Sequence, residues 1–129
     1  KRIVGIEKNP VAHDYALINL GLNKKLKNIV LIQGDVGDLL PRFRTEFDRI
    51  LMVLPKSAGD FLEAALPLVK PGGCLHFYDM QNSDSFGEAV AKVRSVCESV
   101  KRPLLAADIT ACGHCAPRTY RICVDCLVG

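Results

Sequence analysis

Short apolar runs closed by turn residues alternate along this chain with segments of helical period, and this alternation constrains the fold more than any other feature. Residues 2–6 (Arg-Ile-Val-Gly-Ile) read as a strand ending at Glu7. Asn9-Pro10 then places a helix N-cap residue before a proline at the first helical position. Val11, Tyr15, Ile18 and Leu22 recur on one face, predicting a helix that buries them and ends near Asn23. Lys24, Lys25 and Lys27 suit the negative end of its dipole. Residues 29–33 predict a second strand closed by Gly34-Asp35, and residues 48–54 a third closed by Pro55. Ser57 and Asp60 form a capping box for a helix through Val69, and Pro71-Gly72-Gly73 reads as a turn before a fourth strand, 74–79. Ser85 and Glu88 form a second capping box, before a helix with Phe86, Val90, Val93 and Cys97 on one face. Pro103 opens a fifth strand, 104–110; a loop with Cys112-Gly113-His114-Cys115 leads to the last, 119–128. The order is β-α-β-β-α-β-α-β-β. Continuous apolar strands between amphipathic helices indicate an α/β layer fold with a mainly parallel sheet. The last two strands share no helix, so they are expected to pair antiparallel.

The 129 residues suffice for one core, and a single domain over 1–129 is expected. With 49% apolar residues the chain is globular in composition. No apolar run approaches the ~20 residues of a membrane span. The net charge of +3 permits nucleic acid as a partner without arguing for it. Of six Cys, Cys74, Cys97 and Cys123 fall inside apolar periodic segments, which reads as buried free thiols in a reducing, cytoplasmic compartment. The chain opens on Lys and enters a strand at once, so the start of the domain is expected to lie upstream.

In open α/β sheets, ligands sit beyond the carboxyl ends of the strands. There this chain places Glu7, Asp35, Leu54-Pro55-Lys56 and Tyr78-Asp79. An acid at one strand end can hold both hydroxyls of a ribose, and one at the next can accept from an adenine amino group. Glu7 is otherwise a solvated acid at a helix start, and Asp35 otherwise caps a short helix. Lys56 meets either phosphate or solvent. His76 is read as a hydrogen-bonded sheet histidine, and His13 as facing outward beside Asp14. Cys112-x-x-Cys115 and Cys123-x-x-Cys126 invite a zinc reading. Positions i and i+3 of a strand point to opposite faces, so Cys123 and Cys126 cannot serve one ion. No metal is expected. Cys-Gly-His-Cys matches a disulfide-exchange motif, but it precedes a strand instead of a helix, so free thiols are expected. Arg42, Arg44, Lys101, Arg102, Arg118 and Arg121 are scattered in sequence, and solvation is their default.

The stretches Ile3-Val4-Gly5-Ile6-Glu7-Lys8-Asn9-Pro10, Gly34-Asp35 and Asp48 through Ala58 resemble class I S-adenosylmethionine-dependent methyltransferases. More narrowly the chain resembles the archaeal and eukaryotic tRNA (guanine-37-N1)-methyltransferases and the wybutosine-pathway transferases that share their catalytic domain. Leu54-Pro55-Lys56-Ser57-Ala58 and Gly72-Gly73-x-x-His76-Phe77-Tyr78-Asp79 carry the specific part of the likeness, and Ala116-Pro117 fits as well. The resemblance implies a Rossmann-like three-layer α/β sandwich with an antiparallel C-terminal strand, S-adenosyl-L-methionine as cofactor and tRNA as partner. It places Glu7, Lys8, Asn9, Asp35, Val36 and Val53 at the cofactor. It places Val53, Leu54 and Pro55 around the transferred group, and Lys56 and Arg118 at nucleic acid.

Two departures stand out. The family carries Asn where this chain has Val53, and Val cannot orient a guanine by hydrogen bonds. The family's first strand, glycine-rich loop and amino-terminal tRNA-binding region have no counterpart in these residues, which implies either a truncated domain or direct pairing of the two inner strands. The implied activity is methyl transfer to a purine nitrogen, guanine N1, in tRNA. The alternatives are transfer of a different group in wybutosine-type modification, or a catalytically silent tRNA- or protein-binding domain.

Overall fold

The computed structural model describes residues 1–54 and 56–129. They form two compact units, Lys1–Arg42 and Phe43–Gly129.

In the first unit, strand β1 (Ile3–Glu7) pairs in parallel with β2 (Ile29–Gln33), from Ile3 opposite Ile29 to Glu7 opposite Gln33. Helix α1 (Pro10–Leu22) connects them. Asn9 caps it as its sequence implies: Asn9 Oδ1 accepts from the backbone N–H of Val11 (2.9 Å) and Ala12 (3.4 Å). The face that α1 buries is not the expected one. Val11, Tyr15, Ile18 and Leu22 are all exposed, while His13 is buried. The helix is apolar on most of its circumference, so periodicity cannot select the inward face, and the one turned in carries His13 with half-buried Ala16 and Leu20. A four-residue helix α2 (Val36–Leu39) and a 3-10 turn (Leu40–Arg42) follow β2.

In the second unit the sheet order is β3-β4-β6-β5, built from Phe47–Met52, Val69–Asn82, Thr119–Val128 and Leu104–Ala116. The β3–β4 ladder is parallel, whereas β4–β6 and β5–β6 are antiparallel. The expected antiparallel closing pair is present. The strands expected to lie either side of a missing one, β1 and β3, belong to separate sheets, so direct pairing is not the arrangement found.

Several expected boundaries shift. The helix expected through Val69 is a succession of short turns: 3-10 over Ala58–Phe61, α3 over Leu62–Ala65 and 3-10 over Leu66–Leu68. Ser57 makes no side-chain cap, and Pro67 deprives the segment of a backbone donor. The Pro71-Gly72-Gly73 turn lies inside β4, because Val69 already pairs with Phe47 before Cys74 pairs with Arg49. Gly72 takes φ +74° there, and a Cβ at Gly73 would lie 2.8 Å from the Lys70 carbonyl oxygen. Helix α4 (Phe86–Ser99) buries Ala89, Val93 and Cys97 as its period implies. Ser85 does not complete its capping box; its hydroxyl turns back to Gln81 Oε1 (3.0 Å). Residues 112–115, expected in a loop, continue β5, whose ladder with β6 absorbs three register shifts.

The inner face of this sheet carries Leu75, Phe77, Ile122, Val124, Cys126 and Val128, all buried, together with buried Leu62, Leu66 and Val93 from the helical segments. Arg102 ties the end of this layer together. Its Nε donates to the Gly129 carbonyl (2.7 Å), and its Nη atoms donate to Val69 (2.7 Å) and Leu66 (3.4 Å). Charge-assisted bonds to half-buried carbonyls exceed neutral ones in strength. Arg102→Met is therefore expected to lower unfolding stability by about 2–3 kcal/mol, read from urea midpoints. A change within the error of those midpoints would show that the three carbonyls find water instead.

Candidate functional site

Parallel pairing brings the carboxyl ends of β1 and β2 to one edge of the first unit, and Glu7 and Asp35 with them. The Gly34 N–H donates to the Glu7 carbonyl (3.0 Å), which closes that edge. The Glu7 carboxylate accepts from the Asn9 backbone N–H (2.7 Å) and leaves its other oxygen unengaged within this loop. Asp35 caps α2: its Oδ1 accepts from the Gly37 N–H (2.8 Å), and its Oδ2 pairs with Lys8 Nζ (2.6 Å). The Lys8 hydrogen bond, then the Gly37 N–H, hold the Asp35 carboxyl below its ordinary range, and Asp35 raises Lys8 in turn. Five expected cofactor residues, Glu7, Lys8, Asn9, Asp35 and Val36, thus share one edge.

That edge fits a nucleoside by its donor and acceptor set. Two carboxylates at adjacent strand ends present free lone pairs, and each is already oriented by a backbone N–H. Lys8 is largely exposed, so its pairing with Asp35 is open to exchange.

The second unit holds the remaining expected positions. Val53 and Leu54 follow β3 and are exposed, and the Leu54 carbonyl accepts from the N–H of Ser57 (3.2 Å) and Ala58 (2.8 Å). Pro55 lies outside the described residues. Lys56 is exposed. Arg118 occupies the β5–β6 turn at φ +61°, and its guanidinium pairs with Asp84 (3.2 Å).

One cluster is not legible in the sequence. His76 on β4 stands opposite Asp125 on β6, and Tyr78 opposite Cys123, all on the sheet face turned away from Phe77 and Val124. His76 Nδ1 lies 2.5 Å from Asp125 Oδ1, and Arg49 Nη1 lies 2.8 Å from His76 Nε2. A guanidinium only donates, so Nε2 accepts and the Nδ1–H donates to Asp125. The Cys123 thiol donates to Asp125 Oδ1 (3.3 Å). The His76 hydrogen bond holds the Asp125 carboxyl below its ordinary range. Burial, then Asp125, push the Cys123 thiol up to about 12. The i, i+2 spacings His76/Tyr78 and Cys123/Asp125 were the available signal, but they meet only through the β4–β6 register.

Residues 1–105 match the TRM5/TYW2 methyltransferase domain. The chain belongs to the TRM5/TYW2 methyltransferase family. It is 34% identical over 120 residues to the tRNA (guanine(37)-N(1))-methyltransferase Trm5b of Pyrococcus abyssi, covering 91% of this chain and 34% of that protein. It is 25% identical over 126 residues to the tRNA(Phe) (4-demethylwyosine(37)-C(7)) aminocarboxypropyltransferase of Methanocaldococcus jannaschii, covering 97% of this chain and 49% of that protein. The structure of M. jannaschii TYW2 in complex with AdoMet superposes with a TM-score of 0.88 at 24% identity, over 99% of this chain and 57% of that one. The Rossmann-like methyltransferase fold is thereby shown for a chain that spans about a third of the length of the Trm5b relative. No helix among the described residues is long and apolar enough to cross a membrane.

The thiols of this family member divide by environment. Burial pushes the Cys126 thiol up to about 12 from an ordinary 9.0, while Cys112 and Cys115 are exposed. At mildly alkaline pH, alkylation is expected to label Cys112 and Cys115 and to spare Cys123 and Cys126 until the chain is denatured. A folded thiol that keeps its proton beyond the unfolded value contributes stability that is full below pH 9 and lost towards pH 12. Urea midpoints should therefore fall once the pH passes 9; a flat profile would contradict the burial.

Proposed function

We propose that residues 1–129 act as one S-adenosyl-L-methionine-binding catalytic domain of a cytoplasmic tRNA-modifying transferase. The reaction that fits best is methyl transfer to a purine nitrogen in tRNA, guanine N1 near the anticodon. The observation that carries this reading is the pair of carboxylates, Glu7 and Asp35, at adjacent strand ends in a member of this family.

In this reading Glu7 accepts from both ribose hydroxyls with the carboxylate that the Asn9 N–H already orients. Asp35 accepts from the adenine amino group, with Lys8 withdrawn into solvent, and Val36 lies against the base. Asn9 keeps Glu7 in place by anchoring α1. Val53 and Leu54, exposed after β3, are the positions assigned to the transferred group; Pro55, assigned with them, lies outside the described residues. Lys56 and Arg118 meet tRNA phosphates, for which Arg118 exchanges its pairing with Asp84. The bound cofactor supplies an electrophilic carbon on a sulfonium. In-line approach of the base and loss of its proton are what remains for the protein to arrange.

A second reading rests on Val53. An apolar side chain there holds no guanine edge by hydrogen bonds, and the likeness extends to an aminocarboxypropyltransferase. The two readings share the nucleoside site and differ in the group moved.

Calorimetric titration with S-adenosylmethionine tests the shared part. Asp35→Ala is expected to weaken binding about tenfold or more, the loss of one charge-assisted hydrogen bond. Binding unchanged in both Asp35→Ala and Glu7→Ala would remove the nucleoside site from this edge. Mass analysis of tRNA after reaction separates methyl from aminocarboxypropyl transfer. Val53→Asn is expected to raise methyl transfer to guanine relative to the parent. If only the variant methylates, the parent chain moves another group or none.

A further inference from the structure

We propose that His76, Cys123 and Asp125 form a binding site for one divalent cation of the zinc class on the outer face of the second unit's sheet. This inference is independent of the proposed nucleoside site, which lies in the first unit.

The ligand atoms of the three side chains all lie within 4.8 Å of one another. Zinc bonds of about 2.0–2.3 Å place ligand atoms roughly 3–4 Å apart, so small side-chain rotations suffice. The set is chemically suited: an imidazole nitrogen, a sulfur and a carboxylate oxygen together favour a borderline-soft ion over magnesium or calcium. The ligands come from two strands locked in register, with His76 directly opposite Asp125 and Cys123 two residues along the same strand and face. Such a frame costs little to order. Cys123 is buried and the Asp125 side chain is 43% exposed, so the cluster has a closed floor and an open entry.

The trio is a different set from the two Cys-x-x-Cys pairs. Cys112, at the bulge of β5 where Ala111 pairs with Ile122 and Gly113 with Arg121, lies outside it, and its thiol donates to the Thr110 carbonyl (3.5 Å). Cys126 stands opposite Leu75 and faces the core, so it takes no part.

Arg49 gives the site a distinctive signature. The ion takes His76 Nδ1 and the Cys123 sulfur: the thiol proton is released to solvent, and the ring proton moves from Nδ1 to Nε2. Arg49 Nη1, now 2.8 Å from Nε2, must withdraw, and as an exposed side chain it is free to do so. Arg49 therefore competes with the metal.

The test is titration of the chain with Co2+, followed by thiolate-to-cobalt absorption, and then displacement by Zn2+. One equivalent per chain is expected. Cys123→Ala and Asp125→Asn should each weaken binding about tenfold or more, and Arg49→Gln should tighten it about tenfold. Cys115→Ala should leave it unchanged. Absence of a thiolate band at saturating Co2+ overturns the proposal. So does a band that survives Cys123→Ala but disappears in Cys115→Ala, which would place the ion on the exposed hairpin thiols. If Cys123→Ala fails to fold by circular dichroism, Asp125→Asn decides alone, because its side chain is half-exposed and its loss leaves the core intact.

Discussion

The antiparallel ladder between β4 and β6, from Gly73 opposite Val128 to Asn82 opposite Thr119, is the constraint on which the second unit depends. It sets Leu75 and Phe77 beside Cys126 and Val124 on the face that α4 and the 3-10 turns around α3 cover, and this is where the core is buried. By the same alternation it sets His76 and Tyr78 beside Asp125 and Cys123 on the other face. A slip of one residue would exchange the two faces and expose the core. Burial of the inner face therefore holds the outer cluster in register, and the histidine–carboxylate–thiol arrangement follows from the hydrophobic pattern beneath it.

The first unit works on a smaller scale. Two parallel strands put their ends at one edge, and each end carries an acid oriented by a backbone N–H. Glu7 is held by Asn9, which itself caps α1, and Asp35 is held by Gly37 as it caps α2. At Asp35 helix capping and carboxylate placement are one interaction, and at the first strand end they are two bonds of the same residue, Asn9. The reading of Asp35 as a helix cap and its reading as an acceptor for a ligand are thus compatible, because a carboxylate has lone pairs for both. Lys8 occupies part of that capacity from solvent, where an ion pair exchanges readily.

Local signals are decisive where one residue type dominates the energetics. Asn9-Pro10 marked the start of α1, and β2 and β6 have the bounds that their apolar runs predict. Signals that depend on competition between partners are weaker. Ser85 bonds Gln81 instead of the helix it precedes. Pro71-Gly72-Gly73 turns without ending its strand, since β3 offers a partner on either side of the turn. The stripe Val11, Tyr15, Ile18 and Leu22 pointed to the wrong face of α1, because an apolar helix has no strong directional pattern.

By itself the sequence determined the family, the order of its strands and of its two long helices, and the presence of Glu7 and Asp35 at consecutive strand ends. These properties are local or motif-borne, and they survive without knowledge of any distant contact. Tertiary structure alone decided the division into two sheets and units, the inward face of α1, and the meeting of Arg49, His76, Cys123 and Asp125. Those residues come from three strands far apart in sequence. What joins them is register, and register is set by the burial of other side chains on the opposite face.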